Sequence, residues 1–261
     1  MSEMSVLPVR MMWGSADRMD AISTGEADLV FAGPPYFSDE TEQFLIKPLS
    51  EQIEFDVVYN LLKRDTTALA SCYQDIARIL KPGRALAIQI KNIKYGDFYI
   101  PISGWHLDLA IKSGLRLVTQ FAWLPMMGRA QTGAKAFGRK KKVRTFRALE
   151  TEIFYILSHP QGLDSGQNLS SLYEEVDELV QPVWNMPPNG RVGTHPYGSP
   201  ESVAKRLIEL LTEPGELVVD PFAGLGGILK VANKLQRNAI GYEIDMHKWI
   251  ERVRARNEKR Q

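Results

Sequence analysis

Two bends in the sequence combine residue types that could bind a nucleoside and position a reacting group. The first bend is residues 220–227, where glycines separate an apolar, strand-like segment from residues at helical spacing. Glycine lets the backbone approach a ligand closely, and a helix N-terminus directs amide N–H groups at it. About twenty residues later, Glu243 ends a second apolar segment, where a carboxylate suits the two hydroxyls of a ribose. The pattern favours a nucleoside-cofactor site over a glycine turn used only for packing.

The second bend is residues 33–37, directly after the apolar segment 27–32. Two successive prolines cannot continue a strand or enter a helix, so the carbonyl groups of Pro34 and Pro35 are fixed in a rigid, exposed turn. Taken alone, this bend is more typical of a rigid loop with a buried tyrosine, Tyr36, than of a catalytic turn. Whether it is a structural loop or a functional turn therefore depends on the other motifs in the chain.

Strands and helices alternate along the rest of the chain. Strands are predicted at residues 27–32, 84–91, 115–124, 152–157, 217–219 and 239–243. Helices are predicted at residues 55–80, 104–113, 199–211, 228–235 and 245–259, with loops at 38–54 and 182–200. This alternation predicts an α/β fold with a doubly wound, mostly parallel sheet. Ligands of such sheets bind at the carboxyl ends of the strands, so the two bends are expected to face one pocket.

Length and composition suit one domain spanning residues 1–261. The single Cys72 excludes an intrachain disulfide and a cysteine-rich metal site, and the four histidines are scattered, so we predict no metal. The net charge of +1 does not indicate a polyanion partner, so any basic surface must be local. No apolar stretch reaches membrane-spanning length and no signal-peptide core begins the chain, which predicts a cytoplasmic protein without a membrane partner.

The two bends are similar to the motifs of a known family. Residues 220–226 (DPFAGLG) resemble the DPFxGxG cofactor motif of S-adenosylmethionine-dependent amino methyltransferases acting on DNA, and residues 33–36 (GPPY) resemble their (D/N/S)PP(Y/F/W) catalytic motif. The catalytic motif comes first, as in the permuted beta group of this family. Segments resembling other family motifs follow in the same order, at residues 78–83, 150–157, 183–185 and 194–201. The resemblance covers nearly the whole chain and implies a Rossmann-like methyltransferase fold in permuted order.

The resemblance implies roles for individual residues. The catalytic residues would be Gly33, Pro34, Pro35 and Tyr36. The residues that bind S-adenosylmethionine would be Asp220, Phe222, Ala223, Gly224, Gly226, Glu243 and His195. In this scheme the carbonyl of Pro34 accepts a hydrogen bond from the amino group of a base, on which Tyr36 stacks after the base leaves the duplex.

The sequence departs from the family pattern at two places. Gly33 stands where the family has an acid or amide, so one acceptor for the amino group is missing. Asp39 or Glu40 in the following segment could replace it. In the cofactor motif, Gly227 and Ile228 stand where the family has two threonines, a mild change because backbone N–H groups make most of that contact.

A basic run sets residues 129–147 apart, with eight Lys or Arg and no Asp or Glu. We predict a loop over residues 128–148 that tracks phosphates and moves in the absence of nucleic acid, although a solvated loop is the simpler alternative. The candidate phosphate contacts are Lys140, Lys141, Lys142, Arg144 and Arg147. Residues 160–192 form a small candidate segment for target recognition.

These observations favour an enzyme of bacterial, archaeal or phage origin that methylates DNA, with a homodimer as one option for its assembly. Adenine N6 is preferred as the target because residues 31–36 (FAGPPY) are one residue from FADPPY, and cytosine N4 stays open. A methyltransferase-fold module that binds nucleic acid but has lost turnover is the main alternative, because Gly33 removes a catalytic acceptor. An RNA substrate is a third alternative that uses the same chemistry.

Overall fold

The computed structural model describes residues 9–45, 53–96, 98–125, 151–164, 181–186, 201–245 and 250. The basic run, most of the candidate recognition segment and nearly all of the C-terminal helix predicted from the sequence lie outside these residues. The individual predicted residues that also lie outside them are Lys140, Lys141, Lys142, Arg144, Arg147 and His195.

The described residues form ten strands and six helices. The strands are β1 (Val9–Trp13), β2 (Ala27–Ala32), β3 (Leu80–Ile90), β4 (Ile93–Tyr95), β5 (Phe98–Ile100), β6 (Arg116–Pro125), β7 (Glu152–Ser158), β8 (Val183–Met186), β9 (Leu217–Asp220) and β10 (Asn238–Glu243). The helices are α1 (Asp39–Leu45), α2 (Phe55–Thr67), α3 (Ala70–Ile79), α4 (Ile102–Lys112), α5 (Glu201–Leu211) and α6 (Gly227–Lys234).

Eight of these strands form one sheet in the order β1-β10-β9-β2-β3-β7-β6-β8, and β4 pairs with β5 in a separate hairpin. Within the described part of the sheet, β7 runs antiparallel to both of its neighbours. The other neighbouring pairs are parallel. The predicted mostly parallel α/β sheet is therefore confirmed.

Helices cover both faces of the sheet, and the helices that follow the two bends lie on opposite faces. Val30 and Ala32 of β2 pack with the buried side chains of α2, α3 and α4. Leu29 and Phe31, on the opposite face of the same strand, pack with α5 and α6. The helices that follow β2 thus lie on one face and the helix that follows its neighbour β9 lies on the other. A doubly wound sheet has its ligand crevice at such a switch point, outside the carboxyl ends of the strands.

Three predicted elements differ from the structure. The helix predicted over residues 55–80 is two helices, because the chain turns after Thr67: the Ala68 and Leu69 amides donate to Arg64 and Thr66 carbonyls at 3.0 Å. The apolar spacing continues across this turn, so periodicity could not reveal it. The loop predicted over residues 38–54 contains α1, and the one over residues 182–200 contains β8.

Helix α1 is held by contacts that lie far apart in the sequence. The Ser38 amide and hydroxyl each donate to an Asp65 carboxylate oxygen at 2.8 Å, and the Thr41 hydroxyl donates to it at 2.6 Å. Asp65 belongs to α2, so α1 depends on a partner that a local pattern does not contain. In the part of the chain that the structure describes, no helix has both the length and the apolar character needed to cross a membrane.

Candidate functional site

A cavity of about 470 Å³ lies at the carboxyl ends of β1, β2, β3, β9 and β10. This volume is in the range of small-molecule sites. Both bends contribute to its wall, as the topology predicts. The predicted residues in the wall are Gly33, Pro34, Pro35, Tyr36, Asp220, Phe222, Ala223, Gly224 and Glu243.

The glycine bend (residues 220–227, after β9) is fixed by hydrogen bonds within the bend and to the neighbouring strand β10. A carboxylate oxygen of Asp220 accepts a hydrogen bond from the Phe222 amide at 3.0 Å. The amide of Ala223 donates to the carbonyl of Tyr242 in β10 at 2.9 Å. Gly224 has φ +51°, in the left-handed region where a side chain is strained, so the bend requires glycine there.

Among the predicted cofactor residues that the structure describes, Gly226 differs from the others because it lies outside the cavity wall. It precedes the first residue of α6 with φ +71°, and its amide donates to the Ala223 carbonyl at 2.8 Å. Its role in the structure is to let the chain turn into the helix. The amide-bearing N-terminus of α6 then faces the cavity at Gly227 and Ile228.

Close packing holds the glycine bend against β10. A Cβ atom added at Gly241 would lie 2.6 Å from both the Ala223 Cβ and a Leu229 methyl group. Real Cβ atoms do not approach so closely, so Gly241 is required for the bend and α6 to reach the strand. Sequence reasoning noticed this glycine only as part of the apolar segment before Glu243.

The Asp, Glu, Lys and Arg side chains of the described cavity wall are all acidic, namely Asp39, Glu42, Asp220 and Glu243. Asp220 is almost completely buried, and burial raises its pKa to about 7. The negative charge of Glu243 also raises this pKa, while the hydrogen bond from the Phe222 amide lowers it. An acidic wall of this kind favours a ligand with positive charge.

The proline bend (residues 33–37, after β2) lines the same cavity. Pro34 is buried, whereas Gly33 and Pro35 are exposed and Tyr36 is half-buried against the core. The hydrogen bonds from Ser38 to Asp65 hold the chain immediately after the bend. The proline bend is thus a segment held at both ends, by β2 and by α1.

The space beside Gly33 is open. A Cβ atom added there would meet no non-neighbouring heavy atom within 4 Å. Of the two acids that the sequence offered as replacements, Asp39 lies in the cavity wall. Glu40 instead pairs with Arg64 at 3.0 Å, on the surface. The geometry therefore does not support Glu40 in that role.

Sequence reasoning missed several residues of the wall. Three of them, Gly14, Ser15 and Ala16, follow β1, a strand that the sequence analysis does not include among its predicted elements. A strand that ends at a glycine was the available signal. Another is Gln89 near the end of β3. This polar residue is only 3% exposed and lies in a buried strand. Buried polar side chains are uncommon enough to indicate a role.

The sheet order, the switch point and the cavity together define a Rossmann-like methyltransferase fold. A family model described as DNA methylase matches residues 27–249. The chain therefore belongs to this family of DNA amino methyltransferases, which act on adenine N6 or cytosine N4. The family assignment made from the motifs is confirmed.

Individual relatives agree with this assignment. The Type II methyltransferase M.MjaI of Methanocaldococcus jannaschii is 26% identical in a comparison that covers 90% of this chain and 87% of the relative. The structure of TTHA0409 from Thermus thermophilus, in complex with S-adenosyl-L-methionine, is similar with a TM-score of 0.67 and 19% identity, over 97% of this chain and 95% of that one. The PvuII DNA methyltransferase, described as cytosine-N4-specific, has a TM-score of 0.67 and 18% identity, over 93% and 84% of the two chains.

The cofactor of the protein is S-adenosylmethionine. The described residues fit this molecule in three respects. The cavity has a suitable volume, the acidic wall suits a sulfonium cation, and a carboxylate, Glu243, stands at the end of β10 where a ribose diol could be bound. Glu243 is oriented by the Asp245 amide, which donates to one of its carboxylate oxygens at 3.0 Å.

Proposed function

We propose that the protein transfers a methyl group from S-adenosylmethionine to an exocyclic amino group of a DNA base. The observation that carries this proposal is the single cavity lined by the proline bend, the glycine bend and Glu243. An active site for this reaction needs the amino group beside the methyl donor. Here the predicted base-binding residues and the predicted cofactor-binding residues line the same cavity.

The amino group of adenine or cytosine is a poor nucleophile because its lone pair is delocalised into the ring. Hydrogen-bond acceptors around its two hydrogens rotate it out of conjugation, and we assign the carbonyl of Pro34 as one acceptor. Tyr36 stacks on the extruded base and fixes its plane. The cofactor supplies an activated methyl group: the C–S bond breaks as the N–C bond forms, its electron pair stays on sulfur, and the amine releases one proton to water. Proximity and orientation then supply much of the rate.

We assign the cofactor side of the cavity to the glycine bend. Glu243 accepts hydrogen bonds from the ribose hydroxyls, and Phe222 contacts the cofactor from the turn. Asp220 holds the turn itself through the Phe222 amide. His195 and the basic residues from Lys140 to Arg147 stay predictions from the sequence, as do a homodimer and a cytoplasmic location.

Adenine N6 is the favoured target, because the segment FAGPPY of residues 31–36 is one residue from an adenine-type motif. Cytosine N4 is the second candidate, and one observation favours it: a structural relative, the PvuII enzyme, is described as cytosine-N4-specific. A binding module without turnover is the third, favoured by the open space at Gly33.

One experiment separates these candidates. The protein is incubated with labelled S-adenosylmethionine and mixed-sequence DNA, with RNA in a parallel reaction, and the nucleosides are analysed by mass spectrometry. We expect N6-methyldeoxyadenosine, whereas N4-methyldeoxycytidine would reassign the base. Tight cofactor binding without any methylated nucleoside would instead favour the module.

Glu243 provides a second test of the cofactor assignment. Glu243→Gln removes the charge but keeps the size, and a hydrogen bond to a charged group contributes about 1.5–3 kcal/mol. We expect the affinity for S-adenosylmethionine, measured by calorimetry, to fall about 10-fold to 100-fold. The exposed Glu26→Gln change is the matched control. Equal affinity of Glu243→Gln and the unaltered protein would contradict the ribose assignment.

A further inference from the structure

The missing acceptor at Gly33 raises the question of what contacts the second hydrogen of the amino group. The parallel register of β2 and β3 pairs Phe31 with Ala87 and Ala32 with Ile88. The next residues along the chain are Gly33, which directly follows β2, and Gln89, which lies within β3. Because side chains alternate between the faces of a sheet, Gln89 lies on the face to which a side chain at position 33 would point.

Gln89 lies in the wall of the same cavity and is almost completely buried. Its carboxamide nitrogen Nε2 donates a hydrogen bond to the carboxylate of Glu152, the first residue of β7. A carboxylate can only accept, so this contact fixes which end of the amide faces Glu152. The amide oxygen Oε1 is therefore directed away from Glu152, and its two lone pairs can accept more than one hydrogen bond.

We propose that Gln89, oriented by Glu152, accepts a hydrogen bond from the amino group of the target base and thereby replaces the acceptor that Gly33 lacks. This inference rests on the proposed function. Pro34 and Gln89 then bracket the amino group from two neighbouring strands. Gln89 takes no proton during the reaction, because an amide oxygen is a very weak base. Glu152 is a positioning residue that acts only through Gln89.

The test compares single-turnover rates of methyl transfer at saturating cofactor. Gln89→Leu keeps the volume but removes the acceptor, and losing a positioned hydrogen-bond partner lowers the rate by about 10²-fold. The dissociation constant for S-adenosylmethionine is expected to stay unchanged. Gln120→Leu, at an exposed position in β6, is the matched control. Glu152→Gln should also lower the rate, because an amide at position 152 no longer dictates the orientation of Gln89.

Rescue distinguishes this role from a structural one. The open space at Gly33 accommodates a Cβ atom, from which an aspartate side chain can extend. We therefore expect the variant that combines Gln89→Leu with Gly33→Asp to transfer the methyl group at least about tenfold faster than Gln89→Leu alone. If Gln89→Leu is unstable because Glu152 loses its partner, Gln89→Leu combined with Glu152→Leu removes both polar groups and takes its place.

The outcomes also separate this inference from the proposed function. If the unaltered protein methylates neither DNA nor RNA, both are overturned. If it methylates DNA and Gln89→Leu does so at the same rate, only the inference fails. A rate loss in Asp39→Asn but not in Gln89→Leu would assign the acceptor to Asp39 and overturn the inference about Gln89. A loss that Gly33→Asp does not restore would make Gln89 structural.

Discussion

The glycine bend and the proline bend meet at one cavity but are built in different ways. The glycine bend is held by its own backbone, by two glycines with positive φ and by direct packing on β10. The proline bend has open space at Gly33 and is held by side chains from distant elements, above all Asp65. A side chain at Gly224 or Gly226 of the glycine bend would therefore strain the backbone, whereas Gly33 in the proline bend has room for a Cβ atom.

This difference follows from what each bend is proposed to bind. A cofactor that is always the same molecule can be held by backbone groups, whose positions are set by glycine and by packing. A base that enters and leaves must be positioned by side chains, and these can come from any neighbouring strand. In the proposed scheme, the acceptor that the proline bend lacks is supplied from β3 by Gln89, while the positive φ of Gly224 and Gly226 has no such substitute.

The largest effect is expected at Asp220 in the glycine bend, which should make the free energy of unfolding depend on pH. Its pKa in the folded state, about 7, lies above the 3.8 of an unperturbed aspartate, because it is buried. As the pH rises, the unfolded chain releases this proton first, so the free energy of unfolding falls between about pH 4 and pH 7. The full change is roughly 4 kcal/mol at 1.36 kcal/mol per unit of pKa.

Denaturant unfolding of Asp220→Asn from pH 4 to pH 8 measures this effect. The variant should lose that decrease in the free energy of unfolding, whereas the exposed Asp17→Asn control should retain it. Parallel pH profiles of Asp220→Asn and the unaltered protein would show that Asp220 is ionised in the folded state throughout this range.

The second effect is a contrast in steric tolerance. Gly241→Ala forces a Cβ to 2.6 Å from Ala223 and Leu229. Overpacking of this kind costs about 1–3 kcal/mol and should displace the glycine bend, so both the unfolding free energy and the affinity for S-adenosylmethionine fall. Gly33→Ala, the matched change at the proline bend, should leave both unaltered. Equal losses in the two variants would remove the distinction between the bends.

The smallest effect is expected at Asp65, with the opposite dependence on pH. Burial alone would raise its pKa, but hydrogen bonds from Ser38, Thr41 and Arg64 hold it below the ordinary value. Its contribution to stability is therefore present above the unfolded pKa and is lost as the pH falls through the folded pKa. Asp65→Asn should cost about 1 kcal/mol at pH 7.

Comparing the unfolding free energies of Asp65→Asn and the unaltered protein at pH 7 and pH 3 tests this prediction. The difference between them should be smaller at pH 3, because the carboxyl group is more protonated there. A difference that grows as the pH falls would contradict the assigned hydrogen bonds.

The residues that sequence reasoning found at the site are those whose identity is dictated locally. Gly224 is required by its own φ, Pro34 and Pro35 constrain their own backbone, and Glu243 ends a strand that its apolar pattern reveals. The same reasoning missed Ser15 because β1 is short and partly exposed at the sheet edge. It also merged α2 with α3, because apolar spacing continues across the turn at Ala68.

The alternation of strands and helices, the two bends and the family could all be predicted from the residues alone, because glycine, proline and apolar periodicity act over a few neighbouring residues. Which strands are neighbours became known from the folded sheet, and with it the pairing of Gln89 with Glu152 beside the gap at Gly33. That pairing joins residues 63 positions apart in the chain. Its physical cause is the register between strands, which depends on the packing of the whole sheet and leaves no signature in any short segment.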